Sequence, residues 1–408
     1  MDTEHTTENS GKRALVVGLG ISGIATAVRL RQIGWTPVVI EKAPTRRTGG
    51  YFIGLFGAGK AAARRLGILD GLRDRTPYEG VTFNVDRLGN RRRGLGFRDL
   101  PGKPWLMMRG DVEQGAFSAL PADVEIRYST VPTHLAQDAD GVDVTLTNTA
   151  EDTSVTERFD LVVGADGLRS TVRSLVFGPH EKYVHRLGYA VAAFQLRDSL
   201  SDLAQVDGAI LLEPNRSMWV FPFDDAPPTV MMTYRTEDVD AEFTEPPAQR
   251  LRAAFGSRPA GRALGEALQE LESAENLLFD SAEQVRMDCW HRGRVVLVGD
   301  SAWCVTLFAG MGVSAGLAGA DLLGTMLERH AGDAKQALTE WERALRPSIA
   351  EYQQLALKQR RFFVPATRFQ IAMRHVMAHG MNKPVTSHLI RQLQVRGARI
   401  KEKDIAAV

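Results

Sequence analysis

The sequence predicts an α/β fold. A Rossmann-like dinucleotide-binding domain is interleaved with a mostly antiparallel β-sheet domain, and a C-terminal helical segment follows. Three apolar strands that each run into glycine predict the first domain. They lie in Ala14–Glu41, Phe159–Ser170 and Gly293–Ala302, and they deliver Gly18, Gly164-Ala165-Asp166-Gly167 and Gly299-Asp300. Buried parallel strands read as continuous apolar runs, and open α/β sheets bind ligands at the carboxyl ends of such strands. A change of rhythm over residues 181–284, from strand–helix alternation to closely spaced strands and turns, predicts the second domain.

Ala14–Glu41 carries the most information. Ala14-Leu15-Val16-Val17 is a strand, Gly18-Leu19-Gly20-Ile21-Ser22-Gly23 a turn, and a helix runs to about Ile33. Pro37-Val38-Val39-Ile40 then returns as a second strand ending on Glu41. Gly18 permits the sharp turn, Gly20 lets a pyrophosphate approach the backbone, and Gly23 lets helix and strand pack closely. The helix N-terminus offers free N–H groups and a positive dipole to phosphate. Glu41 falls where a carboxylate accepts bonds from ribose hydroxyls and repels a 2′-phosphate, so the site suits FAD or NAD.

Composition bounds the rest. A chain of 408 residues is long enough for two domains, and its 44% hydrophobic content is ordinary for a soluble globular protein. A net charge of +1 gives no nucleic-acid or membrane footprint. Cys289 and Cys304 form no disulfide framework or metal cluster, which points to a reducing cytoplasmic compartment. Met1–Lys12 is polar and reads as a disordered tail without a signal peptide, and no apolar run is long enough to span a membrane.

In chain order, a loop with Arg46, Arg47, Gly49, Gly50, Gly54, Gly57 and Gly59 precedes a helix over Lys60–Leu66, and can wrap a flat cofactor. Val81–Val85 and Asn90–Arg93 read as a hairpin with a charged rim. Trp105–Arg109 is a short strand, and Asp111–Leu120 a helix. Val124–Tyr128 and Val142–Leu146 alternate as strands. In the second domain Ala190–Leu196, Ile210–Glu213, Met218–Phe223 and Val230–Tyr234 are strands, with a turn at Asp224–Pro228. Arg250–Leu271 is an amphipathic helix broken near Pro259. Val313–Leu327 is a small-residue helix whose start, Gly310-Met311-Gly312, offers another receptor for an anion or carbonyl. From Leu338 the chain reads as helices punctuated at Pro347, Pro365 and Pro384, ending in a polar tail. The expected boundaries are 13–77, 102–180 and 285–340 for the cofactor domain, 78–101 and 181–284 for the substrate domain, and 341–408 for the C-terminal helices.

These three strand-end motifs, in this order, resemble the single-component, aromatic-hydroxylase-type (class A) FAD-dependent monooxygenases with their GR2-type FAD domain. The likeness runs from Leu15 to about Leu355, and the Gly49-Gly50 loop resembles the tetracycline-modifying branch. The resemblance implies that Gly18, Gly20, Gly23 and Glu41 bind the ADP half of non-covalent FAD. It implies that Arg109 reaches the phosphate and ribitol, and that Asp166 lies near the pyrophosphate. Asp300 would bind ribitol hydroxyls, and Gly310, Met311 and Gly312 would meet the isoalloxazine edge. It further implies NAD(P)H as co-substrate and a flavin C4a-hydroperoxide as oxidant, so no protein nucleophile is expected. His134, His180, His185, His291, His330, His375 and His379 show no metal-ligand spacing. Gln195 and Tyr234, with Arg235, can reach a substrate from the second sheet, and Trp219 and Phe221 alternate onto one strand face as an apolar wall.

One departure from the family matters. The family reads Gly-Asp-Ala-Ala-His with a proline four residues later. Here the histidine position is Trp303 and the proline position Leu307. Proline fixes φ and removes a donor, and leucine restores both freedoms. Trp303 and Leu307 are expected to alter the space above the flavin ring. The leading expectation is a hydroxylase of a bulky, hydrophobic aromatic or polyketide-type secondary metabolite. The alternative is a redox-neutral cyclase of a polyketide pathway that keeps FAD as a structural wall, as the decalin-forming cyclases do. A plain NAD dehydrogenase leaves the strand-end Asp300 unexplained.

Overall fold

The computed structural model describes residues 11–46, 49–96, 99, 104–256, 259–274, 276–381 and 399–407. Most of the expected N-terminal tail, Arg47 and Pro384 lie outside these residues. The first part of the chain forms strand β1 (Arg13–Val17), helix α1 (Ile21–Gln32), β2 (Thr36–Ile40), β3 (Phe52–Leu55) and α2 (Gly57–Arg65). Then come β4 (Thr82–Val85), β5 (Arg91–Arg93), β6 (Trp105–Met108), α3 (Arg109–Ser118), β7 (Glu125–Arg127), β8 (Thr130–Gln137), β9 (Val142–Asn148), β10 (Thr153–Phe159), β11 (Leu161–Gly164) and α4 (Thr171–Val176). The second part contains β12 (Val184–Gln195), β13 (Gly208–Glu213), β14 (Arg216–Phe221), β15 (Thr229–Arg235), α5 (Pro247–Phe255), α6 (Gly261–Glu270) and β16 (Leu278–Val285). The chain closes with β17 (His291–Arg292), β18 (Val295–Leu297), α7 (Asp300–Trp303), α8 (Gly312–Arg329), α9 (Ala334–Phe363) and α10 (Arg368–Met381).

The three apolar strand ends meet in one sheet of order β17-β18-β11-β1-β2-β7, parallel except for β17. Val17 aligns with Gly164 and Gly164 with Leu297, so the three glycine turns leave the sheet from one edge. Ala14, Leu15, Val16, Val162, Val163, Val295 and Val296 are fully buried, because helices cover both faces of a parallel sheet.

The second sheet runs β16-β12-β15-β14-β13-β4-β5 and is antiparallel except where β13 meets β4. The β4–β5 hairpin therefore joins the strands β12–β16. Strand parity gives this sheet two different faces. Tyr189, Val191, Ile210, Trp219, Phe221 and Met231 belong to the core that also buries β1, β2 and β11. Ala192, Met218, Val220, Val230, Met232 and Tyr234 form a separate core with Leu251 and Phe255 of α5 and Leu264 and Leu268 of α6.

Two expectations about the C-terminal part are corrected. Pro347 does not interrupt the chain and lies inside the 30-residue α9. Leu338, Trp341, Leu345, Ile349, Tyr352 and Ala356 continue one buried stripe across it, while the proline faces solvent. Packing of that stripe offsets the roughly 3 kcal/mol that an interior proline costs. The C-terminus is also not a free polar tail. Asp404 receives Arg65 Nη1 and Nη2 at 2.6 and 3.0 Å, Glu402 receives the Gly57 amide at 3.4 Å, and Ile405 and Ala406 are buried. No helix among the described residues is long and apolar enough to cross a membrane.

Candidate active site

The Gly18 turn is dictated by contact. Gly18 has φ +105°, and a Cβ there would lie 2.6 Å from the Ala165 carbonyl oxygen. A Cβ on Gly23 would meet the Gly18 carbonyl oxygen at 1.9 Å, whereas one on Gly20 would meet nothing within 4 Å. The turn is thus sealed on its sheet side and open on the other. The open side is a cleft of about 380 Å³ lined by Gly18, Gly20, Glu41, Arg109 and Asp166. Lys42 adds positive charge to its walls, where Arg46 is paired with Glu113 and Arg169 with Asp280.

Each side chain in the cleft has a defined state. Glu41 Oε2 accepts the Leu19 amide and Oε1 the Ala43 amide, both at 2.9 Å. The expected ribose acid therefore also locks the glycine turn to its own strand. Asp166 braces the start of α4, whose N-cap is Ser170: Oδ1 accepts the Ser170 hydroxyl at 2.5 Å, and Oδ2 accepts the Thr171 and Val172 amides at 2.6 and 3.1 Å. Burial raises its pKa against these bonds. Arg109 starts α3, and its guanidinium makes no hydrogen bond or ion pair among the described residues. An unpaired cation beside open backbone amides at a helix start fits a pyrophosphate.

Asp300 follows β18 and begins α7. Asp300 is accessible from the open space; desolvation by the protein packed around it pushes its pKa up, while the Cys304 thiol as a hydrogen-bond donor and the Arg109 charge pull it down. The Tyr51 hydroxyl feels both Arg109 and Asp300, and burial raises its pKa. Gly310 takes a left-handed φ of +65°, the Met311 side chain is buried, and a Cβ on Gly312 would meet nothing within 4 Å. The start of α8 thus presents only backbone to the open space. A flat cofactor running from Glu41 past Arg109 to Asp300 fits this donor set.

The second sheet supplies one wall. Trp219 and Phe221 stack near-parallel with centroids 6.0 Å apart, and Phe221 stacks on Phe52 at 3.6 Å. Gln195 shares the row of Thr229 and Phe221, and its Nε2 donates to the Pro227 carbonyl at 2.9 Å. A void of about 30 Å³ borders Ile210, Trp219 and Phe221.

Two sequence expectations fail here. Tyr234 points to the far face, where its hydroxyl bonds Glu242 and its ring meets Phe255 edge-on at 6.2 Å. It shares parity with Val230 and Met232, and no strand register could be read from a single strand's alternation. Arg235 is exposed at the strand end. Trp303 does not stand over the flavin region. It is buried against Trp290 and Trp341, with ring centroids at 4.8 and 5.8 Å. Leu307, half-buried at the start of the short turn Leu307–Ala309, is what borders the loop before α8.

Sequence reasoning also missed several polar groups. Asn84, Ser217, Thr229 and Thr233 are buried on the wall's near face with side-chain polar atoms unpaired. The available signal was a serine or threonine breaking an otherwise apolar strand. The fold further brings Cys289, His291 and Glu342 within 4.8 Å of one another, a grouping that spacing did not suggest. Its carboxylate already receives the Trp290 amide at 2.8 Å and the Arg346 guanidinium.

This fold and cleft define a flavoprotein of the FAD-binding type. A family model described as FAD binding domain matches residues 12–351, so the chain belongs to that family and stands among its FAD-dependent monooxygenases. An uncharacterised Mycobacterium tuberculosis protein is 33% identical over 347 residues, covering 80% of this chain and 87% of that one. A flavin-dependent monooxygenase of Legionella longbeachae is 28% identical over 345 residues, covering 83% and 86%. The crystal structure of the tetracycline destructase Tet(51) superposes with a TM-score of 0.77 at 23% identity, covering 98% of both chains.

Proposed function

We propose that the protein is a hydroxylase that uses non-covalent FAD, NAD(P)H and O2 on a hydrophobic aromatic or polyketide-type substrate. The observation that carries this reading is the unpaired Arg109 between the glycine turn and the accessible Asp300. One continuous path then accommodates the diphosphate, ribitol and ring of FAD. Gly18, Gly20 and the start of α1 would hold the diphosphate, Glu41 the ribose, Asp300 the ribitol, and Gly310 to Gly312 the ring edge. Residues 13–77, 102–180 and 285–340 make up the cofactor domain in this assignment, and 78–101 and 181–284 the substrate domain.

When bound and reduced, FAD supplies the oxygen-activating chemistry. The chain's own task is to bind it, to exclude water and to orient the substrate. Trp219 and Phe221 form the apolar wall that excludes water, and Gln195 stands at its edge beside Met108 (Nε2 to Sδ 3.7 Å). Phe221, stacked on Phe52, also borders the narrow void.

The experiment measures substrate-stimulated NAD(P)H oxidation and O2 uptake, with the native substrate identified by product. A strict need for both supports the hydroxylase. Full anaerobic turnover without nicotinamide, still requiring FAD, replaces it with the redox-neutral cyclase, which Leu307 at the family's proline position favours.

A further inference from the structure

Arg374 of α10 is 5% exposed and lies over the same aromatic wall. Its guanidinium carbon is 3.9 Å from the Phe362 ring centroid and 4.6 Å from that of Trp219. It donates to the Phe362 carbonyl and, from Nη2, to the Leu95 carbonyl at 3.4 Å. Nε is buried without a partner, and no acidic side chain among the described residues pairs with this cation. Burial alone lowers its pKa, to about 9. Cation–π contacts recover part of the desolvation cost, but a buried guanidinium is normally matched by an anion.

Asn84 provides the second observation. It is 7% exposed, and both its amide oxygen and its amide nitrogen lack partners. Asn84 aligns with Ile210, and Ile210 with Trp219. The Cβ position of Gly94, next to Leu95, is 3.0 Å from the Asn84 amide oxygen. The unmatched cation and the orphan amide thus converge on one end of the wall, joined through Gly94-Leu95.

We propose that Arg374 and Asn84 form an anion-binding subsite that selects flat, apolar substrates carrying an acidic oxygen, either a carboxylate or an ionised enol. The inference rests on the reading of Trp219 and Phe221 as the substrate wall. An arginine has five N–H donors, and here two are committed to carbonyls, so the fork still has donors for a carboxylate. The Asn84 amide nitrogen adds another. The Trp219 ring lies beside the guanidinium and borders the narrow void, so an aromatic body attached to the acid would enter on that side.

The test is equilibrium dialysis with 2-naphthoate, 2-naphthamide and ionised 1,3-indandione, on FAD-loaded and apo protein without nicotinamide. Native protein should bind naphthoate about tenfold or more tightly than naphthamide. Arg374→Met should abolish that preference, the larger loss falling on naphthoate, and Asn84→Ala should reduce it. Stronger binding of indandione than of naphthoate identifies the enol as the preferred acid, and the reverse identifies the carboxylate. If Arg374→Met fails to fold, Arg374→Lys carries the test, because it keeps the charge and loses the fork, so its preference should fall. Equal binding of acid and amide by native protein, or an unchanged preference in a folded Arg374 variant, overturns the proposal. Failure of the hydroxylase reading shows instead in NAD(P)H and O2 assays, and leaves this preference intact.

Discussion

Glu41 Oε2 accepts the Leu19 amide at 2.9 Å, so the acid that ends β2 and the glycine turn that follows β1 form one hydrogen-bonded unit. Removing that carboxylate has two separable effects. Glu41→Ala should weaken FAD by about 1.5–3 kcal/mol, the range of charge-assisted hydrogen bonds. It should also cost about 1 kcal/mol of apo stability through the lost Leu19 and Ala43 bonds. Flavin titration of the apo variant measures the first and urea unfolding the second. Unchanged affinity removes Glu41 from the binding site.

FAD should be retained non-covalently, and heat precipitation should release it into the supernatant. Cys304 is the thiol nearest the candidate ring site, and burial together with the neighbouring Asp300 carboxyl holds its pKa well up. A thiol kept protonated is a poor nucleophile for attachment. An absorption spectrum before and after precipitation checks this. Yellow colour that stays with the pellet contradicts it, as does a colourless protein that cannot be reconstituted.

The cofactor half of the molecule was legible because its determinants are local. Each apolar strand hands a glycine or acid to the next turn, and Gly18, Glu41 and Arg109 line one cleft. The substrate half was less legible because its determinants are long-range. Alternation put Trp219 and Phe221 on one face, but only the pairing of β14 with β15 puts Tyr234 on the other. Asp166 read as a ligand contact; it lines the cleft, and its bonds to the Thr171 and Val172 amides, five and six positions on, tie it as well to the start of α4, a link that no local pattern marks. Arg374 lies 155 positions from Trp219, and no local pattern marks it.

Trp303 and Gly319 test the corrected placement of the family's histidine position. A Cβ on Gly319 would meet the Trp303 ring at 2.8 Å, and the Gly319 carbonyl accepts Trp341 Nε1 at 2.9 Å. Gly319→Ala should therefore destabilise the fold by about 1–3 kcal/mol through overpacking. Trp303→Phe should lower stability and leave the ratio of hydrogen peroxide to NAD(P)H consumed unchanged, because the ring faces α8 and α9. Denaturant melts and a peroxide assay check the pair. A changed coupling ratio in Trp303→Phe would return this residue to the flavin surface.

Lys401 should make apo stability depend on pH in a defined direction. It is 7% exposed, and its ammonium lies 4.5 Å from the Phe56 ring centroid. Burial lowers its pKa from 10.5 to about 8. The nearby acids are engaged elsewhere, Asp404 with Arg65 and Glu402 with the Gly57 amide. Between these two pKa values the unfolded chain holds the proton and the folded chain does not. Stability therefore rises with pH across that window. Below pH 8 the folded state bears the full cost of the buried charge, at most about 3 kcal/mol. Lys401→Met removes that cost at every pH. Its stability advantage over the native chain should be largest near neutrality and shrink between pH 8 and 10.5. Urea unfolding of both apo proteins across that range reads the difference directly, and titrations shared by the two chains cancel. A difference that stays constant, or grows with pH, would mean that the Lys401 ammonium is compensated in the fold.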